Sequence, residues 1–128
     1  MNTYRTLDEF TQAYCIAALW TSEPEEITQG GDFETRGQEI AERLPNYWLE
    51  QAKADCAKFQ AENEALLVQA GTESQNGHDF WRTRNYHGAG FWDRGYQDEI
   101  GDALTEAAHK FGEAYLDWEE LTQDETEA

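Results

Sequence analysis

The stretch HDFWRTRNYHGAGFWDRG, residues 78–95, decides how the rest of the chain is read. It gathers four of the eleven Trp and Phe residues, three of the nine basic residues and two of the three histidines. A charged chain that concentrates so much apolar area and cationic charge in one place has to bury it against something. Side chains from Asp79 to Arg84 alternate as in a short strand, with Phe80, Arg82 and Arg84 on one face and Trp81 and Thr83 on the other. Asn85 to Gly90 then predicts a turn, after which Phe91 and Trp92 return the chain to apolar packing. The motif His78-x-Phe-Trp-Arg is faintly echoed by His87-x3-Phe-Trp-Asp-Arg, but a single pair does not make a repeat.

Downstream, a helix is expected to start near Asp98. Ile100, Leu104, Ala107, Ala108 and Phe111 form one face and Gly112 is a stop signal. The following EAYLDW fits either continued helix or strand, and a strand over 113–118 is preferred because it would pair with 79–84. From Glu119 the chain is acidic without a cation, and disorder is expected there. Upstream, TESQN between Gly71 and Gly77 has the composition of a loop. Before it, Leu49, Ala52, Cys56, Phe59, Asn63 and Leu66 recur at helical spacing, predicting a helix over 46–70 with Asn46 as its cap. Its seam of Ala, Cys and Asn suits packing inside a domain better than a dimer zipper. Residues 38–44 could form a short helix stopped at Pro45, and 21–37 reads as an exposed acidic connection. The chain opens with a helix over 6–20, marked by the capping-box pair Thr6 and Glu9. The expected fold is α+β and predominantly helical: three main helices packed with a small β-hairpin or short sheet. It forms one domain over 1–118, with an acidic tail over 119–128.

With 128 residues, 39% of them apolar and 13% aromatic, the chain has material for a core. Its formal charge of −18 is the outlier, because 27 acidic residues face nine basic ones. That balance argues against direct contact with nucleic acid or an anionic membrane, since phosphate binding needs cations. A basic partner fits better, with the chain itself a monomer or weak homodimer. Cys15 and Cys56 stand in no CxxC motif and are expected to pack as small apolar residues. No segment has the length of a membrane span and the N-terminus lacks the apolar core of a secretion signal, so a cytoplasmic location is expected.

The signature stretch can be weighed as an active site. His78 beside Asp79, His87 near Asp93, and His109 could exchange protons. Yet the only serines, Ser22 and Ser74, lie in polar surroundings, and neither cysteine has an activating motif. His78, His87 and Asp93 follow no metal-ligand spacing, and Gly88-Ala89-Gly90 lacks the framework of a phosphate loop. No cofactor and no metal are expected, and the histidines read as hydrogen-bonded structural residues. Arg82, Arg84 and Arg94 could stack on bases, but in so acidic a chain they more simply pair with Asp79, Asp93 or Asp98 or lie over aromatic faces. His78, Phe80, Trp81, Arg82, Arg84, His87, Phe91, Trp92, Asp93 and Arg94 then constitute a structural hub.

The segment GHDFWRTRNYHGAGFWDRGYQDEIGDALTEAAHKFGE resembles a small phage-type protein family of unknown function. That family carries the pattern GHDFWxTRNxHGAGFWDRG, a helix of the LTxAAxxFGE type and then a short strand. Ala54 to Leu67 and the Ala-Leu-Trp ending at Trp20 match its upstream helices. Past FGE this chain departs from it, with AYLDWEELTQDETEA in place of a strand and a Gly-Asp-rich turn. The resemblance implies a phage or prophage origin and no chemistry. Combined with the charge, equivalent to that of about nine base pairs, it leads to one expectation: an acidic interaction protein, a DNA mimic that inhibits a host nucleic-acid-binding or defence protein in the host cytoplasm. The candidate array is Glu23, Glu25, Glu26, Asp32, Glu34, Glu39, Glu42, Glu50, Glu62 and Glu64, with Asp98, Glu99, Asp102 and Glu106 on another side. Against it stands an acidic face that only confers solubility. The alternatives are a small enzyme or ligand-binding domain using the His78 to Arg94 loop, and a virion assembly protein.

Overall fold

The structure, a computed structural model, describes residues 3–22, 40–86, 90–91 and 98–116, with only the backbone at Ser22 and Asp98. Among the described residues four long helices carry it: α1 (Glu9–Ser22), α2 (Asn46–Gln69), α3 (Glu73–Arg84) and α4 (Asp98–His109), preceded by a 3-10 turn at Tyr4–Thr6; residues 40–41 are helical as well. Contacts fix the directions of the first three. Gln60 of α2 reaches Asp8 just before α1, while the Trp48 ring lies near Tyr14, six residues further along. So α2 runs against α1, and α3, which places Gly77 at Phe10 and Trp81 at Thr21, runs with it.

The first helix is central. Phe10, Thr11, Tyr14, Cys15, Ala17, Ala18 and Leu19 are all buried, too wide an arc for a surface helix. Its cap is Asp8, whose Oδ1 accepts the Thr11 amide at 2.8 Å. The expected box at Thr6 and Glu9 is thus displaced: Thr6 donates its hydroxyl to the Thr3 carbonyl, and Glu9 accepts from Ser74 of α3. At Asp8, burial alone would raise the carboxyl, but hydrogen bonds from Thr11 and Gln60 and the charge of Lys53 outweigh it and hold the group below its ordinary value. A depressed folded value means that stability from Asp8 is present above the aspartate range of the unfolded chain and is lost as pH falls through the folded value. Asp8→Asn should therefore remove part of the acid-side loss of stability. Asp8→Ala should cost about 1 kcal/mol at neutral pH. Urea unfolding of both variants across the acid range checks this, and an unchanged acid limb in Asp8→Asn would refute it.

Helix α2 begins one residue after Pro45. Asn46 is not its cap; the side chain instead accepts the Thr3 amide at 3.3 Å and holds the N-terminal turn. Leu49, Ala52, Cys56, Phe59 and Leu67 are buried along the stripe that its spacing predicts, so the helix packs within the domain. It kinks at Asn63 (φ −125°, ψ 19°), where Asn63 Nδ2 donates to the Phe59 carbonyl at 2.9 Å and competes with the backbone ladder. Of the short helix expected over 38–44, Ile40 and Ala41 are helical, and the chain then turns ahead of Pro45: the amides of Arg43 and Leu44 donate to the carbonyls of Ile40 and Ala41. Ile40, Ala41 and Leu44 are buried. The acidic connection before it lies almost wholly outside the described residues.

The largest correction concerns 71–84. The expected loop and strand form one helix, α3, whose cap Thr72 accepts the Gln75 amide at 3.1 Å. A strand would put Phe80 and Trp81 on opposite faces, whereas the helix buries both. Phe80 stacks on Phe59 with centroids 4.1 Å apart and meets Phe111 edge-on at 5.2 Å, while Trp81 meets Tyr14 edge-on at 5.3 Å. With no strand at 79–84, the strand expected over 113–118 loses its intended partner; its described residues, within 112–116, are irregular and held by side-chain hydrogen bonds, and 117–118 lie outside the described residues. Among the described residues there is no strand, so the α+β expectation is wrong and the described fold is all-helical.

The fourth helix follows its sequence pattern. Ile100, Leu104 and Ala108 are buried, and the chain turns out at Gly112, whose φ of 74° is one that L side chains rarely adopt. Both cysteines are buried and free, as packing residues. Among the described residues no helix is long and apolar enough to cross a membrane. The tail over 119–128 lies outside the described residues.

Candidate functional site

Three consecutive residues at the end of α3 tie two later segments into the fold. Thr83 Oγ1 accepts the Phe91 amide at 3.2 Å, and Asn85 Oδ1 accepts the Ala114 amide at 2.8 Å. Between them Arg84, 4% exposed, spreads its guanidinium over four acceptors. Nε donates to the Gly112 carbonyl at 2.8 Å, one Nη to Tyr14 Oη at 3.1 Å and to Asp55 Oδ2 at 2.9 Å, and the other Nη to the Phe111 carbonyl at 3.0 Å. Its cationic carbon stands 5.4 Å from the centre of the Phe80 ring and 5.6 Å from that of Phe111. The expected pairing of an arginine with a carboxylate and aromatic faces is met, but the carboxylate is Asp55 of α2.

This knot forms the floor of a cleft of about 520 Å³ between the first turns of α2 and the segment after α4. Tyr47, Trp48, Gln51, Glu113 and Tyr115 line its walls. Trp48 Nε1 donates to the Tyr115 carbonyl at 2.9 Å, and Gln51 Nε2 to Asp55 Oδ1 at 2.9 Å. Burial pushes the Tyr14 phenol well above its ordinary range despite the opposing charge of Arg84, so the hydroxyl beneath the cleft stays protonated. Sequence reasoning missed these walls. The signal was Tyr47 and Trp48, two aromatics in the first turn of the predicted 46–70 helix and outside its apolar spacing.

The remaining hub residues divide in two. Phe80, Trp81 and Phe91 are buried; Asp79 is fully buried and partnered; His78 is half-buried and partnered, and Arg82 is half-buried. His87, Trp92, Asp93 and Arg94 lie outside the described residues. His109 stacks on Tyr86 at 4.3 Å. Among the described residues no group of three or more His, Cys, Asp or Glu is placed to hold a metal ion. Burial pushes both cysteine thiols far above their ordinary range, so neither is an available nucleophile.

Of the acidic array, Glu23, Glu25, Glu26, Asp32, Glu34 and Glu39 lie outside the described residues, as does the Asp98 side chain. Glu42 is half-buried and paired with Arg5. Glu50, Glu62 and Glu64 are exposed on α2 but form no single row, since Glu62 points roughly 120° away from Glu50 at 100° per residue. Glu99, Asp102 and Glu106 are exposed on α4, three and four residues apart, and do form a row. Comparisons with protein families, with curated proteins and with solved structures give no match to this chain.

Proposed function

We propose that this chain is an acidic, phage-encoded interaction protein that acts in the host cytoplasm as a DNA mimic, occupying the nucleic-acid-binding surface of a basic host protein. The observation that carries the reading is the row Glu99, Asp102 and Glu106, exposed along one face of α4. Its carboxylates are spaced by about 4.5 and 6 Å along the helix axis. One DNA strand places a phosphate about every 3.4 Å of axis, so the row has rather more than half of that linear density. The net charge of −18 extends the same field over the molecule and would steer a basic partner towards it.

The test is capture from bacterial lysate over a salt series, with duplex DNA as competitor. A DNA-binding protein should be retained at low salt, released as salt rises, and displaced by duplex. The variant Glu99→Gln/Asp102→Asn/Glu106→Gln removes the row without touching the core and should weaken capture on the order of tenfold, with a shallower salt dependence. Retention that ignores salt, resists duplex or survives the triple substitution would overturn the proposal.

A further inference from the structure

The cleft beside Arg84 has the makings of a receptor. Among the described residues four large hydrophobic side chains are exposed, and two of them, Tyr47 at 63% and Tyr115 at 76%, stand on either side of this opening with the half-buried Trp48 between. Keeping aromatic faces in water on so charged a surface is unfavourable unless something covers them. The floor offers an anion little. Arg84 spends four of its five donors on Gly112, Tyr14, Asp55 and Phe111, and Asp55 takes a hydrogen bond on each oxygen. The charge left over is negative: Asp55 and Arg84 cancel, while Glu113 is exposed on the wall and makes no ion pair among the described residues.

We propose that this cleft receives the guanidinium of an arginine side chain presented by a protein partner. A guanidinium lies flat against aromatic rings and gives its edge to a carboxylate, here Glu113; the lysine ammonium is a more strongly hydrated point charge and gains less from such walls. The choice of a protein as the source rests on the interaction-protein reading above. The chemistry of the cleft does not.

The test therefore uses small probes on the whole chain. Titration with N-acetyl-arginine amide, followed by NMR, should give a saturable shift of the Trp48 indole N–H, identified by its absence in Trp48→Phe. The citrulline counterpart, of the same shape but uncharged, should give none. Tyr115→Ala and Glu113→Gln, both at exposed positions, should each weaken arginine binding about fivefold. Equal binding of the citrulline or lysine counterparts, unchanged affinity in both variants, or no saturable shift would overturn the assignment. Neither substitution touches the α4 row, so failure here leaves the capture experiment standing, and the reverse also holds.

Discussion

Gly77→Ala is expected to lower the unfolding free energy by about 3 kcal/mol or more, although alanine is the better helix former by about 1 kcal/mol. A Cβ at this position would collide with the Phe10 carbonyl oxygen and stand 2.8 Å from its carbon and 3.1 Å from the Phe10 Cα. All three are backbone atoms, so no rotamer change relieves the clash. The two helices would have to part, and they are joined along their length. Glu73 accepts the Phe10 amide at 3.1 Å, Trp81 Nε1 donates to Thr21 Oγ1 at 2.8 Å, and Arg84 reaches Tyr14. Urea unfolding should show a lower midpoint with an unchanged slope. Trimming the Phe10 side chain in the same protein should not restore stability, because the obstacle is main chain. A Gly77→Ala protein as stable as the parent would mean that the close approach of α1 and α3 is wrong.

The same contact explains what sequence could show of this fold. Helices α1, α2 and α4 announce themselves because their buried positions are apolar and recur every three or four residues, from Phe10 and Tyr14 to Leu104 and Ala108. Helix α3 does not, because much of its buried face is polar. Asn76, Asp79, Thr83 and Arg84 are buried beside Phe80 and Trp81, and Gly77 looks like a breaker. Their burial is tolerable because most of these groups are bonded to other segments. Asn76 donates to the Leu67 and Gly71 carbonyls and accepts the Gly71 amide, while Thr83 and Arg84 receive Phe91 and the chain after α4. The loop composition of TESQN hides a capping-box pattern, Thr72-x-x-Gln75, of which the structure shows the Thr72 half. The burial of Phe80 and Trp81 was legible from the aromatic content of the stretch. The cleft was not, since it needs Asp55, Arg84 and Tyr115 brought together from three distant segments.

Arg84→Met should cost about 3 to 5 kcal/mol, the range for breaking a buried ion pair by removing one partner. Methionine fills similar space, so the loss would come from stranding acceptors: the Asp55 carboxylate, the Tyr14 hydroxyl and the carbonyls of Phe111 and Gly112. Arg84→Lys should recover little of it, because one ammonium cannot reach acceptors spread around a planar fork. If the unpaired carboxylate is the main cost, Asp55→Asn placed on Arg84→Met should be less harmful than the two single effects added, and a double-mutant cycle measures that difference. The effect should also be local. The Ala114 amide, held by Asn85 Oδ1 at 2.8 Å, should exchange with solvent faster in Arg84→Met than in a variant equally destabilised elsewhere, because Arg84 anchors the two residues at which this segment leaves α4. Additive singles, with Ala114 protected to the extent of global stability alone, would show that Arg84 contributes packing and not the tie between α3 and the wall of the cleft.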